Sequence, residues 1–512
     1  MGRGAVLWAA APPGERGYER FPYLLQALAD LGLVAPYRSS RTWAFFDSAY
    51  RSRVDLEYFA ARWRRAGISA LHVAAWHFYE ADAEQDQFVR RLIEACHHEG
   101  ILVYAWLELP HVSEKFWSEH PEWREKTGLL QDAQLDWRKL MNLTNRDCFR
   151  AVAAGVGQLV DRFDWDGVNL AELYFESLEG IDNPARFTPM NDDVRRLFRE
   201  RSGFDPLELF RLRTDGASRR LFLDFRRSLV QKMQSEWIEE LERVRQRKPD
   251  LDLVLTHVDD QFDTRMHDAI GADTAKVLPL LEKHRFTFLV EDPATVWDLG
   301  PERYAAIAGR YRALTSREGQ LGIDINVVER YQDVYPTKQQ TGIELFQLVH
   351  AAAVSFARVA IYFEASLLPA DLALLPAAAS NVRGVDKSGD GIRVDTARGV
   401  GVAWHGAATV DGQPWPAWDG ETVWIPAGVH TVGPGQANGP RLLRLNGEIQ
   451  GARASGRAEI EVTYESASRA IAVLDRPVRS LRVDGVPGLV RLAGPNTVLL
   501  PRGRHLVTMA TD

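Results

Sequence analysis

Eight short apolar runs, each ending in a polar or aromatic residue and separated by helix-like stretches, predict an α/β fold of the (β/α)8 TIM-barrel class. A change of character after Ala379, toward short strands and dense turn signals, predicts a second module that is all β and sandwich-like. At 512 residues the chain has room for one large and one smaller domain. The expected boundaries are 1–40 for an amino-terminal cap or the remnant of a longer chain, 41–380 for the barrel, and 381–512 for the β module.

In the first segment Gly4–Ala10 (GAVLWAA) reads as a strand, and Gly17–Leu33 reads as a helix ending at Gly32. The barrel strands are expected at Trp43–Phe46, Ala70–Trp76, Ile101–Leu107, Gly167–Leu173, Leu253–His257, Phe286–Val290, Leu321–Ile325 and Val359–Phe363. Amphipathic stretches lie between several of them. In Gln87–His98, for instance, Phe88, Leu92, Ile93 and Cys96 recur at helical spacing. Late strands begin about 35 residues apart, the length of one βα unit. The third-to-fourth and fourth-to-fifth intervals are about twice that length, and long loops in compact domains are usually functional. Insertions at the carboxyl ends of strands three and four are therefore expected to wall the cleft. Beyond residue 380 the motifs SGDG, VDGQPWP, WDGE, GPGQANGP, LNGE and VDGVPG mark turns. The similar segments Thr422–Val432 and Thr497–Val507 read as strand, Pro-Gly turn, strand, with shared hairpin chemistry favoured over an internal repeat. Trp415, Trp418 and Trp424 are expected to pack between sheets, with a sugar-stacking surface as the alternative.

Composition narrows the function. With 62 Lys+Arg against 70 Asp+Glu the formal charge is −8, which argues against a nucleic-acid partner. No apolar window approaches the ~18 residues of a membrane span. The two cysteines, Cys96 and Cys148, make neither a disulfide framework nor a metal-type spacing. The opening residues lack the pattern of a secretory signal. There is no phosphate-binding Gly-rich loop, no Gly-x-Ser-x-Gly and no His-Glu-x-x-His, so no cofactor or metal is expected, and oligomeric state stays open.

Chemistry is concentrated at the strand ends. Glu108, Glu172, Asp259, Asp260, Glu291, Asp292 and Glu364 close or follow barrel strands, and Asp324 lies within strand seven, where an inward acid paired with a basic neighbour is expected. Ionised carboxylates cost several kcal/mol to bury unless paired, so such a ring suits acid–base chemistry on a glycosidic bond or a hard cation. Aromatic residues decide between these: Trp76, Trp106, Tyr174, Trp297, Tyr331 and Tyr362 lie at the same ends, and rings stack on sugar C–H faces. His257 is a candidate for a sugar hydroxyl or for a core histidine, as are His72 and His77.

The segments ILVYAWLELP, HPEW and LMNLTNRDCFRAVAAGVGQLVDRFDWDGVNLAELYFES resemble the barrel core of bacterial glycoside-hydrolase-like families that act on exopolysaccharides. The hydrolase domain of enzymes processing poly-N-acetylglucosamine is an example. The resemblance spans Leu92–Phe210 and implies a periplasmic or secreted polysaccharide hydrolase. It places Asp166-Gly167 at the start of the fourth strand, where Asp166 reads as a structural turn residue, and Glu172 at the second acid of the family's pair. Ala171 stands at the first, so the family mechanism does not transfer whole. Asn142 matches the family's Asn, within its loop or toward substrate. The expectation is an endo-acting glycoside hydrolase with Glu172 as proton donor and Glu291 as nucleophile or base, and Asp259, Asp260, Glu364 and Glu108 as competitors. Carboxyls about 5 Å apart would give retention and about 6.5–9.5 Å inversion. The alternative is a catalytically silent barrel that holds polymer for a partner enzyme.

Overall fold

Each of the eight apolar runs is a strand of one closed parallel barrel. They are β1 (Thr42–Phe46), β2 (Ile68–Ala74), β3 (Leu102–Glu108), β4 (Gly167–Ala171), β5 (Asp252–Val258), β6 (Thr287–Glu291), β7 (Leu321–Asn326) and β8 (Arg358–Tyr362). The computed structural model describes residues 4–12, 14, 21–48, 53–75, 82–177, 179–211, 216–292, 297, 299–328 and 339–512. Buried on both faces, these strands read as continuous apolar runs because neither side meets water.

The period of two sorts their side chains. Along β3, Leu102, Tyr104 and Trp106 join the barrel interior, whereas Val103, Ala105 and Leu107 join the layer under the helices. The interior also holds Trp43, Phe45, Ala74, Ala171, Val254, Leu289 and Ala360. At its centre the His72 ring stacks on Tyr104 at 4.7 Å. Asn169 donates to His72 Nδ1 at 3.1 Å and accepts from Thr256 Oγ1 at 2.9 Å. Burial depresses the His72 pKa to about 3, so a neutral ring fills the barrel as core.

The principal helices are α1 (Leu56–Arg65), α2 (Ala83–His98), α3 (Arg146–Arg162), α4 (Asp192–Ser202), α5 (Gly216–Arg247), α6 (Arg303–Arg312) and α7 (Gly342–Ser355). Side-chain caps start the first three, from Asp55, Asp82 and Asn145. The two long intervals are insertions, as expected. The first runs from β3 to α3 and carries the strand pair Gln134–Leu135 and Arg138–Lys139. The second runs from β4 to α5 and carries α4. They bind each other: Gly128 N donates to Phe187 O at 2.9 Å, Arg186 grips Asp136 at 2.7 Å, and Asn191 Nδ2 donates to Arg124 O at 2.8 Å.

The carboxyl-terminal region is all β, as expected, and is built as two units of paired sheets. Strands within 382–434, with Tyr37–Arg38, form a five-stranded and a three-stranded sheet around Val394, Val402, Val423 and Val432. Strands within 442–511 form a four-stranded and a five-stranded sheet around Ile460, Tyr464, Val498 and Met509. The matching segments occupy the same place in both units. His430 Nδ1 meets Asp411 at 2.7 Å and His505 Nδ1 meets Asp484 at 2.7 Å, each Asp at positive φ and each accepting from the next backbone N–H, of Thr431 or Leu506. The likeness is thus an internal repeat rather than hairpin chemistry alone. Trp415 and Trp424 donate to Trp424 O and Leu443 O, and Trp418 is buried, so all three pack as expected.

The amino-terminal reading is corrected too. Gly4–Ala10 forms no strand and is exposed, and the helix observed is Leu24–Asp30. Instead Tyr37 and Arg38 pair antiparallel with Val402 and Gly401, because an edge strand of the β module has free backbone groups to offer. Asp166 ties barrel to β module. It accepts from Val103 N and meets His97 Nε2 at 2.8 Å, and Arg469 of the module binds its other oxygen. Burial opposes the charge, but Arg469 and His97 outweigh it and hold the Asp166 pKa at about 2. Its structural reading stands.

Candidate active site

Alternation aims the last residue of several strands at one mouth. Glu108 continues the inward series of Leu102, Tyr104 and Trp106, and Glu291 follows Leu289. Asp324 stands beside Glu291 in register. Glu172 breaks the pattern: Ala171 points inward, so the next residue should face the helices. Its φ of 53° puts the backbone in the left-handed region, with Tyr174 N donating to Glu172 O at 2.7 Å across the turn, and the side chain is re-aimed. Its carboxylate meets Arg138 Nη1 at 2.8 Å.

Arg138, from the hairpin of the first insertion, brings a cation to this mouth. It also binds Glu176 from the second insertion, and its Nε and Nη2 are buried without an acceptor. The surrounding acids raise its pKa further, although burial works against the charge.

The carboxyls are electrostatically one group. Burial, then Glu172, pushes the Glu291 pKa up to about 7, with an Asn326 hydrogen bond and Arg138 pulling the other way. Burial, then the charges of Glu172, Asp47 and Glu291, lift Glu108 well above the carboxylate range despite Arg138. Glu172 is raised by burial and Glu176, and Arg138 opposes the rise. Asp324 is lifted by burial, Glu291 and Asp292; its neighbours are acids, not the basic partner expected. Tyr174 stays a neutral phenol, lifted by burial and then by Glu172 and Glu291. Carboxyls whose pKa values burial and mutual charge raise thus stand beside Glu172, which a guanidinium binds.

Asp259, Asp260, Asp292, His257 and Asn142 make their contacts elsewhere. Asp259 accepts from Tyr311 Oη of α6 at 2.9 Å and from Phe262 N at 3.0 Å, so it belongs to the layer under the helices. Asp260 is fully buried, accepting from Thr274 N at 2.6 Å and Gln261 Nε2 at 2.7 Å. Burial works against its charge, but these bonds and nearby histidines hold its pKa at about 2. Asp292 pairs with Arg303 at 2.7 Å. These acids fasten loops, each held by partners away from the mouth. His257 packs tilted on Phe288 at 5.4 Å on the helix side, its pKa lowered by burial. Asn142 donates to both oxygens of Asp193 at 3.0 and 3.1 Å and so ties the first insertion to α4 instead of facing substrate. Glu364 is buried in the turn Glu364–Ser366 after β8.

Of the rings, Trp106 and Tyr362 pack edge-to-face at 5.8 Å below the acids, Trp106 buried and Tyr362 half-buried. Tyr174 is nearly buried and adjoins Glu172. Trp297 is buried beyond β6. Trp76, His77 and Tyr331 lie outside the described residues. The sequence reading missed Asp47, which follows β1 in phase with inward Trp43 and Phe45, a signal it could have used. Arg138 and Glu176 carry no such signal, since insertion loops have no period to read.

No family model and no curated protein matches the chain. Among solved structures it is similar to the PgaB (BpsB) glycoside hydrolase domain from Bordetella bronchiseptica, at 12% identity over 65% of this chain and 98% of that one, with a TM-score of 0.48. It is also similar to a β-galactosidase from the haloarchaeon Halorubrum lacusprofundi, at 12% identity over 66% of this chain and 57% of that one, with a TM-score of 0.49. An α-amylase from Geobacillus thermoleovorans aligns at 10% identity over 92% of this chain and 98% of that one, with a TM-score of 0.39. The likeness is one of fold.

Proposed function

We propose that the chain is a glycoside hydrolase cleaving within a polysaccharide, with Glu172 and Glu291 as its carboxylate pair. What supports this reading is the meeting of two acids at the barrel mouth: Glu291, whose pKa burial and the Glu172 charge raise to about 7, and Glu172, bound by Arg138 at 2.8 Å. It also favours roles opposite to those expected from sequence. Glu291, with a pKa of about 7, is the proton donor to the glycosidic oxygen. Glu172, paired to Arg138, is the ionised nucleophile or base toward the anomeric carbon. As the C–O bond breaks, the leaving oxygen takes the Glu291 proton. Asp47 and Glu176 add negative charge near the pair, which suits a partly deacetylated, cationic amino-sugar polymer.

Purified E172Q and E291Q should stay folded and lose hydrolysis by about 10²-fold or more, read as new reducing ends on a panel that includes partly deacetylated poly-N-acetylglucosamine. Wild-type rates in E172Q would overturn the proposal. The second reading, a silent polymer-binding barrel, draws on inward Ala171 standing where the related families carry an acid. It predicts saturable polymer binding with no new reducing ends from the wild-type chain.

A further inference from the structure

The opposite end of the barrel holds a cavity of about 770 Å³ between the strand starts and the β module. That volume falls within the range of small-molecule sites, roughly 300–1,000 Å³. Five arginines line it, Arg41, Arg285, Arg358, Arg383 and Arg398, against three carboxylates, Asp252, Glu448 and Glu465. Asp252 is already engaged, accepting from Tyr104 Oη at 3.0 Å.

Arg41, Arg358 and Arg398 are half-buried and line the same cavity. Arg398 donates to Ala357 O at 3.2 Å and Phe356 O at 3.3 Å, and Arg358 donates to Ala357 O at 3.2 Å. Carbonyls satisfy N–H groups but cancel no charge. Among the described residues, the carboxylate that touches this trio is Glu448, bound to Arg41. One carboxylate for three guanidiniums leaves the cluster short of negative charge, and burial first, then the neighbouring guanidiniums, holds Arg41 and Arg398 below the usual arginine range. Asn446 on the same wall accepts from Ile471 N at 2.6 Å, and its buried amide nitrogen has no acceptor.

We propose that this cavity is a binding site for a compact polyanion of the phosphoryl or polycarboxylate class, held by Arg41, Arg358 and Arg398. Guanidiniums match the paired oxygens of either group, and the amide and hydroxyl lining suits a ligand that also carries hydroxyls. The site is separate from the barrel mouth and does not depend on the reading proposed there.

Titration calorimetry on the full chain at near-physiological salt, with inorganic pyrophosphate, citrate and neutral glucose, tests it. Saturable binding of pyrophosphate or citrate but not glucose is expected, and the tighter of the two names the class. Arg358→Gln should weaken that binding by about tenfold or more, through loss of a charge-assisted contact. Glu448→Gln should tighten it several-fold by freeing Arg41, and this variant decides the matter if the arginine variant fails to fold. No saturable binding of either anion, or equal affinity in wild type and Glu448→Gln, would overturn the proposal.

Discussion

Replacing Glu291 by Gln should stabilise the protein in mild alkali while removing the hydrolysis proposed above. Burial and the Glu172 charge lift the Glu291 pKa from the ordinary 4.5 to about 7. The folded state therefore holds a proton that the unfolded chain has released, and stability falls as pH rises between those two values. Each tenfold change in proton affinity is worth about 1.4 kcal/mol, so the ionised carboxylate costs the fold about 3 kcal/mol at about pH 8. Below about pH 4 both states are protonated and the cost vanishes. Gln has nearly the shape of the protonated side chain and never ionises. Denaturant unfolding should give E291Q and wild type similar stabilities at about pH 4 and a gap of about 3 kcal/mol in favour of the variant at about pH 8. Comparing the two pH values cancels any change in packing. With Glu172 also replaced by Gln, the gap should shrink, because that charge is the second cause of the lift. A gap that is the same at both pH values would refute the assignment of a proton to Glu291.

Arg138→Gln leaves Glu172 and Glu176 without their shared cation; it should cost roughly 3–5 kcal/mol in unfolding measurements and move the acid limb of the rate–pH profile to higher pH, because Glu172 then holds its proton longer. Glu108→Gln should be nearly silent in melting temperature near neutral pH, since burial and three acids already keep Glu108 protonated; a strong loss there would mean that it ionises. Asp166→Asn removes the charge shared by His97 and Arg469 and should cost roughly 2–4 kcal/mol, with proteolysis at the seam between barrel and β module as a second readout. In the wild type, the depressed Asp166 pKa contributes stability above about pH 4 that disappears as pH falls toward 2.

All eight barrel strands were legible, because a strand buried on both faces writes itself as an unbroken apolar run. Glu108 and Glu291 were legible for the same reason, as they close strands whose phase is set by Tyr104, Trp106 and Leu289. Where the chain leaves the strand, phase no longer governs. Asp259 and Asp260 stood as competitors to Glu291 in sequence, yet the turn after β5 hands them to Tyr311 and Thr274. Arg138 sits on a two-residue strand whose course depends on contacts with the second insertion, such as Arg186 with Asp136. The β repeat was in plain view as Asp-Gly followed by Thr-Val and Pro-x-Gly-x-His. What was missing was the His–Asp pairing that separates a repeat from two similar hairpins.

Glu172 separates an enzyme from a silent binder most sharply. Had the chain continued as a strand, its side chain would have gone to the helix layer and left Ala171 alone at the mouth. A left-handed backbone at a residue that is neither Gly nor Asn costs about 1–2 kcal/mol, and nothing in the turn needs a glutamate to make it. The same residue lifts the pKa of Glu291 and of Glu108, so its presence costs stability a second time through its neighbours. A surface that only holds sugar chains works through rings and hydrogen-bond donors, and gains nothing from a carboxyl that keeps its proton at neutral pH. Backbone strain and charge repulsion meet at Glu172, whose charge raises the Glu291 pKa, and the proton transfer proposed above is the chemistry that would use both.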